Sequence, residues 1–404
     1  MRLDQPLDGA GLIEDPYPFF ARLRAEAPVW QLPNANAFFV STWELVNEAV
    51  SRPEDFSNHF CHMLYANDDG SIGVLDSDPN PIVFAGADPP EHTVHRKLFF
   101  SELLQQKMAA LKPVVFEMAD DLLDGALAAP GFDAMADFAS VVPLRIMAER
   151  VIGFRDAKLS DLQKWVFGGS VIAGGRLRLD EMATRGAEVM GLVPWVDAQL
   201  DDAIAAARQG DVLGAAANGV RDGILTHEQA SFTLMVLLGA GGETTTTLMG
   251  NAIRMLAERP DLQHELRAAP DRVPAFIEEA LRFEAPFSFH PKTADHDTEL
   301  GGVTIPAGAM VATVWGAANR DAAVFENPDQ LVLDRPNVRL HMGFGRGIHY
   351  CVGAALARLE TRVVLQRLLA RTEQFTLDPD DPPTWTNSMW IRRHDRLPIV
   401  VTAA

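Results

Sequence analysis

The residues best equipped for chemistry lie in one run, Phe344-Gly345-Arg346-Gly347-Ile348-His349-Tyr350-Cys351-Val352-Gly353. Three glycines within nine residues, Gly345, Gly347 and Gly353, allow tight turns and a close approach of backbone to a flat ligand. Cys351 stands just before a helical pattern carried by Leu356, Leu359 and Val363. A sulfur at a helix N-terminus is stabilised as thiolate by the helix dipole and by unpaired backbone N–H groups. Such a thiolate is a soft metal ligand, and the same N–H groups tune the metal that it binds. Two other readings fit these residues taken alone. One is a buried free cysteine beside a glycine-rich turn; the other is a nucleophile activated by His349, two residues away.

A second cluster lies upstream. Thr226 and Gln229 form a capping box that opens a helix running to Arg259, ahead of Pro260. Its centre reads Leu238-Gly239-Ala240-Gly241-Gly242-Glu243-Thr244-Thr245. Each interior glycine costs roughly 1 kcal/mol relative to alanine, so the sequence predicts an interruption here. Missing side chains open a groove, and a threonine hydroxyl bonds a carbonyl one turn back. A helix–helix crossing would use the same small residues. Glu279 and Arg282 are neighbours on one helix face, the geometry of an ordinary solvated ion pair. His92 and Arg96, just beyond Pro89-Pro90, also share a face and are spaced to grip an anion.

These groups need a scaffold, and the rest of the chain describes one. The 404 residues are 48% hydrophobic and 22% charged, a globular composition with ample apolar side chain for a large core. A net charge of -20 argues against non-specific nucleic-acid binding. Only Cys61 and Cys351 are present, which fits a reducing, cytoplasmic setting rather than a disulfide scaffold. The first twenty residues lack the apolar stretch of a signal peptide, and nothing reaches the ~18 consecutive apolar residues of a membrane span. Val29–Gln31 and Phe38–Ser41 flank Pro33-Asn34 as a hairpin. Helical spacing dominates from about Glu91 to Glu258, with Met108, Leu111, Val115, Met118 and Leu122 as one stripe. Strand signals return between Phe287 and Trp315, helix from Val352 to Arg371, then a strand-like C-terminus. Distant strands and no βαβ alternation predict a single mainly α (α+β) domain over residues 1–404, with small sheets.

The cysteine run matches the cytochrome P-450 signature F-G-x-G-x-[HR]-x-C-x-G at every defined position, and the chain resembles that family along nearly its whole length. The resemblance begins at Asp15-Pro16-Tyr17-Pro18-Phe19 and includes Ala318-Asn319-Arg320-Asp321. It implies the P-450 fold, a helical bulk with haem b between the interrupted central helix and the cysteine loop. By resemblance Cys351 is the axial thiolate and His349 meets a haem propionate, with Phe344, Gly345 and Gly353 shaping the loop. Ala240 to Thr245 resembles the family's oxygen-activation motif, so Ala240 and Gly241 flank the haem and Glu243 and Thr244 relay protons for oxygen activation. The family buries its E-x-x-R pair with a later arginine. That structural trio falls on Glu279, Arg282 and Arg335. His92 and Arg96 match the family's propionate-gripping helix. One position departs: where the family commonly offers an arginine to the second propionate, this chain has Lys292, with His290 just before it. Lysine lacks the planar fork, and which of the two residues serves is open.

Family topology points to a substrate pocket lined by Phe60, Met63, Leu64, Leu237, Ala240, Phe287, Phe289, Met389 and Trp390, an apolar set that suits a hydrophobic organic substrate. Filling core is the other reading of the same aromatics. From Arg335 to Arg371 seven arginines face one acid, Glu360, an inversion of the chain's overall charge around Cys351. Arg346, Arg358 and Arg362 are therefore expected to dock an acidic, ferredoxin-like electron donor. The implied activity is monooxygenation with O2 as co-substrate, using NAD(P)H electrons through ferredoxin reductase and ferredoxin. Alternatives are a peroxide-using haem-thiolate enzyme, a non-catalytic haem sensor and, more distantly, a cysteine-dependent hydrolase.

Overall fold

The computed structural model describes residues 9–59, 61–76 and 83–403. Its organising element is a helix of 31 residues, His227–Ala257, with most of its length buried. The capping box is present: Thr226 Oγ1 accepts from the Gln229 N–H at 3.1 Å, and Gln229 Oε1 from the Thr226 N–H at 2.9 Å. The expected interruption is absent, since the helix runs unbroken through the glycines. Packing explains why. A Cβ on Gly241 would lie 2.6 Å from the Met147 sulfur, and one on Gly242 2.7 Å from Leu144. These two glycines admit a close helix crossing whose contacts offset their low helix propensity. The hydroxyl bond is there as expected, from Thr244 Oγ1 to Ala240 O at 2.6 Å.

Five other helices position side chains used below. In chain order they are Glu91–Phe100 (α1) and Leu159–Ile172 (α2), then the long helix His227–Ala257 (α3). Val273–Phe283 (α4), the short Trp315–Ala318 (α5) and Ala354–Arg371 (α6) follow. The helical stripe read from Met108 onward is divided between Gln105–Ala109 and Lys112–Ala126. Of the stripe, Met108 and Val115 are buried; the other buried residues are Ala119 and Leu123, one position on from the expected Met118 and Leu122, so part of the buried face is turned by one residue.

The main sheet joins strands far apart in sequence, as expected. They are Val29–Gln31 (β1), Ala37–Val40 (β2), Phe56–Ser57 (β3), His290–Ala294 (β4) and Met310–Thr313 (β5), in the order β1-β2-β5-β4-β3. β5 runs parallel to β2, pairing Met310 with Ala37, and antiparallel to β4, pairing Thr313 with His290. Both faces of β2 and β5 are buried, and alternation sorts their side chains into two clusters. Phe39 and Ala312 join one cluster with Trp30 and Phe289, whereas Phe38 and Val311 join another with Val29 and Phe56. A third, larger cluster lies among the helices around α3. No helix among the described residues is long and apolar enough to cross a membrane.

Candidate active site

Cys351 is held at the end of a loop that its backbone ties shut. The Cys351 N–H donates to Phe344 O at 2.9 Å, and the Gly345 N–H to Met342 O at 2.7 Å. Gly345 (φ 64°) and Gly347 (φ 70°) occupy the left-handed region, which only glycine enters without strain. α6 starts three residues beyond the sulfur. Burial pushes the Cys351 thiol up, while the N–H groups of Gly353 and Ala354 pull it down. Such a sulfur carries a negative charge only when a cation compensates it.

Upstream of the loop lies a buried ion triad. Arg282 donates to both Glu279 oxygens at 2.7 Å, and Arg335 Nε lies 3.2 and 3.1 Å from the same two atoms. Glu279 and Arg282 have no exposed surface. Both guanidiniums also bind Gln330 O, and the Val332 N–H donates to Glu279, so the segment leading to the loop is clamped.

Above the sulfur lies a cavity with about 1310 Å³ of atom-free space, open mouth included. Cys351, Val352 and Gly353 line one side; Val236, Leu237, Ala240, Gly241, Thr244 and Thr245 of α3 line another. At one end His92, Arg96 and His349 converge, the His92 and His349 rings 4.2 Å apart. Arg96 also donates to Tyr350 O at 2.9 Å. Burial and the neighbouring His92 push His349 down to about 3. His290 is on the wall too, pushed down to about 3 by burial and Lys292 and stacked 5.2 Å from Trp315.

The other expected residues fall as follows. Phe344, Leu237 and Phe287 line the cavity; Gly345 does not, being the turn behind the wall. Lys292 is off the wall as well. Its ammonium donates to Phe56 O at 3.0 Å and Asn58 Oδ1 at 2.6 Å, and burial lowers it to about 8. Leu64, Phe289 and Met389 belong to the cluster under the sheet, with Trp390 packed against it. Met63 is half-buried in the hairpin His62–Ala66 with Ile72–Asp76, and Phe60 lies outside the described residues.

Glu243 and Thr244 leave α3 in different directions. Thr244 faces the cavity, whereas Glu243 packs against α2 and the C-terminal segment. Its carboxylate accepts from Ser170 Oγ at 2.5 Å and Arg393 Nε at 3.1 Å. Burial nevertheless pushes Glu243 up. Arg393 in turn reaches Asp395, which is half exposed, at 3.2 Å. Ser170 and Arg393 went unrecognised in the sequence. The only sequence trace of Arg393 was the adjacent pair Arg392-Arg393 near the strand-like C-terminus; Ser170 had none. Trp315 was also missed; a tryptophan directly after a strand and four residues before Asn319 was the only hint.

On the other side of the loop, Arg358 binds Glu278 through Nε (2.6 Å) and Nη2 (2.9 Å) and lies 4.4 Å over Phe344. Arg346 lies 5.2 Å over Trp43, and Arg362 stands one turn beyond Arg358 on α6.

Comparison with known proteins places this arrangement. The chain is 37% identical to cytochrome P-450 144 of Mycobacterium tuberculosis over 396 residues, 97% of this chain and 90% of that protein. The chain belongs to the cytochrome P-450 family. The family's sequence profile, described as Cytochrome P-450, matches residues 198–397. A vitamin D(3) 25-hydroxylase of Pseudonocardia autotrophica is 32% identical over 96% of this chain and 94% of its own length. Among solved structures, cytochrome P-450 CREJ in complex with (4-ethylphenyl) dihydrogen phosphate superposes with a TM-score of 0.88 at 25% identity, covering 98% and 99% of the two chains. A mutant of P-450 EryK in complex with erythromycin B gives 0.83 at 28% identity, covering 98% and 97%. The fold is thus the P-450 fold and the protein a haem-thiolate monooxygenase. The cavity of this P-450 fits that cofactor. It offers a sulfur with two N–H donors, and no carboxylate lines it among the described residues. At its edge two buried nitrogens, His349 Nε2 and Trp315 Nε1, have no hydrogen-bond partner, a deficit that an acidic ligand would relieve.

Proposed function

We propose that in this P-450 the Cys351 thiolate would hold the iron of haem b, and that the protein oxygenates a neutral, predominantly apolar organic substrate by hydroxylation or dealkylation. Electrons come from NAD(P)H through a ferredoxin reductase and an acidic ferredoxin, in the cytoplasm, and residues 1–404 act as one domain. The observation that carries this reading is that Cys351 and the α3 residues Ala240, Gly241 and Thr244 line one cavity. The titratable lining residues, His92, Arg96, His290, His349 and Cys351, belong to the cofactor's side. What remains for substrate is mostly apolar, including Leu103, Met108, Val236, Leu237, Leu248 and Phe287, with Asn58, Thr244 and Thr245 as neutral polar members and no charged side chain among the described residues. Relatives named for hydroxylating vitamin D(3) and dihydromenaquinone-9 are consistent with a large apolar substrate.

Haem, when bound, supplies the oxidising power that moves one atom of dioxygen into the substrate. The chain's own residues do the rest. His92, Arg96 and His349 hold the haem carboxylates at one end. The N–H groups of Gly353 and Ala354 steady the Cys351 thiolate. Thr244 presents its hydroxyl to the oxygen-binding side, and Glu243 supplies it with protons. Reaching Thr244 requires the Glu243 carboxyl to leave Arg393 and Ser170, so the proton supply is gated. Asp395, half exposed beside Arg393, is where solvent meets that gate. This relay favours dioxygen over direct use of peroxide. Arg346, Arg358 and Arg362 form the donor-docking face, with the Arg358 charge partly committed to Glu278.

The test begins with the ferrous–carbon monoxide spectrum. A strongly red-shifted Soret band, lost in Cys351→Ala, supports thiolate ligation by this residue; folded protein without haem overturns the proposal. Ligands that shift the ferric Soret band are then turned over with ferredoxin and reductase, and products analysed. Turnover with peroxide alone would replace the dioxygen reading. Reversing Arg346 and Arg362 to glutamate should slow reduction by ferredoxin and flatten its salt dependence. An unchanged rate removes the docking face.

A further inference from the structure

Trp315 is the most conspicuous polar group on the cavity wall that the reading above leaves unused. Only 8% of the residue is exposed, it lines the cavity, and its indole Nε1–H has no acceptor. An indole nitrogen can only donate, and a buried donor without a partner is costly enough to be rare. The ring cannot easily turn away. His290 stacks on it at 5.2 Å and 27°, Phe287 packs edge-on at 6.5 Å, and a Cβ on Gly345 would sit 3.6 Å from its six-membered ring. The donor is thus fixed beside the turn of the cysteine loop. Meanwhile Lys292, the nearest cation on β4, spends its ammonium on Phe56 O and Asn58 Oδ1, and does not line the cavity.

We infer that the Trp315 indole N–H donates a hydrogen bond to one carboxylate of the bound haem, so that this carboxylate is anchored by a neutral donor rather than by an arginine fork. The inference rests on the haem reading above. Haem b carries two propionates, and a carboxylate taken out of water needs donors at each oxygen. His92, Arg96 and His349 supply three donors on this part of the wall, and Trp315, with His290 against its face, adds a fourth that nothing in the protein engages. A neutral donor holds a carboxylate in place without cancelling its charge, whereas a guanidinium does both.

The experiment compares the holoprotein with Trp315→Phe, which keeps a ring against His290 and Gly345 but removes the donor. Haem transfer to excess apomyoglobin should be faster in the variant on the order of ten-fold, as expected for one hydrogen bond to a charged acceptor. The propionate bending bands in the resonance Raman spectrum should move as well. With haem dimethyl ester, whose neutral carbonyls accept a weaker hydrogen bond than a carboxylate, the difference between the two proteins should shrink. Equal transfer rates with native haem and unmoved propionate bands overturn the inference. So does a difference that persists undiminished with the ester, since that would be packing. Should the variant fail to fold, the wild-type ferrous–carbon monoxide form decides: exchange of one indole N–H must be slower with native haem than with the ester. Wild-type protein that binds no haem would sink the functional reading itself, a distinct result.

Discussion

Replacing Glu279 with alanine removes the carboxylate that two buried arginines share. It accepts from Arg282 Nε and Nη2 at 2.7 Å each, from Arg335 Nε at 3.2 and 3.1 Å, and from the Val332 N–H at 2.8 Å. The guanidiniums would keep their backbone acceptors: Asn319, Pro328 and Gln330 for Arg282, and Glu326, Asn327 and Gln330 for Arg335. Hydrogen bonding therefore survives in part, and charge compensation does not. Removing one partner of a buried pair costs ~3–5 kcal/mol, and two cations lose theirs here, so the upper end applies. Against a total stability of ~5–15 kcal/mol, that is a third or more. Urea unfolding of the holoprotein should show a much lower midpoint for Glu279→Ala, and the Soret band should report a displaced cysteine loop. A loss below about 1 kcal/mol in the single variant would refute the claim that this triad braces the loop.

Thr226→Ala removes the cap of α3 and should cost about 1 kcal/mol, read as a lower thermal midpoint with an unchanged visible spectrum. Glu243→Gln keeps an acceptor for Ser170 and Arg393 but carries no ionisable proton. Turnover should fall roughly a hundred-fold while haem content and substrate-induced Soret shift persist, and undiminished turnover would exclude the relay. Burial pushes Glu360 up to about 8, so its carboxyl is neutral in the fold but ionises in the unfolded chain above about 4.3. Its protonated form favours folding, and that contribution fades as pH rises toward 8. Glu360→Gln should therefore gain stability relative to wild type across this interval and hold the gain above it. Denaturant midpoints with a pH-independent difference would contradict this.

What could be read from the sequence depended on how far a residue's partners lie along the chain. The capping box of Thr226 and Gln229 and the placement of Cys351 ahead of α6 are decided within a few residues, and both appear as expected. The groove of α3 is a different case. Glycine propensity argued for a break, but Met147 and Leu144, about a hundred residues upstream, pack where side chains would have been. Local cost was outweighed by a contact that no window of α3 contains. Among the aromatics, Phe287 and Phe289 are two apart, which in a strand would put them on one face. They precede β4, however, in irregular chain, and one faces the cavity while the other enters the core beneath the sheet. Leu64 and Met389 meet across Gly175, a contact spanning three segments. Lys292 shows the limit most plainly. Its charge suggested a propionate, yet Phe56 O and Asn58, brought in by β3 and the loop after it, satisfy the ammonium first. The same strand arrangement carries β5 into α5 and sets Trp315 on the wall, so the residue facing the cofactor is chosen by sheet topology rather than by the local run of charges.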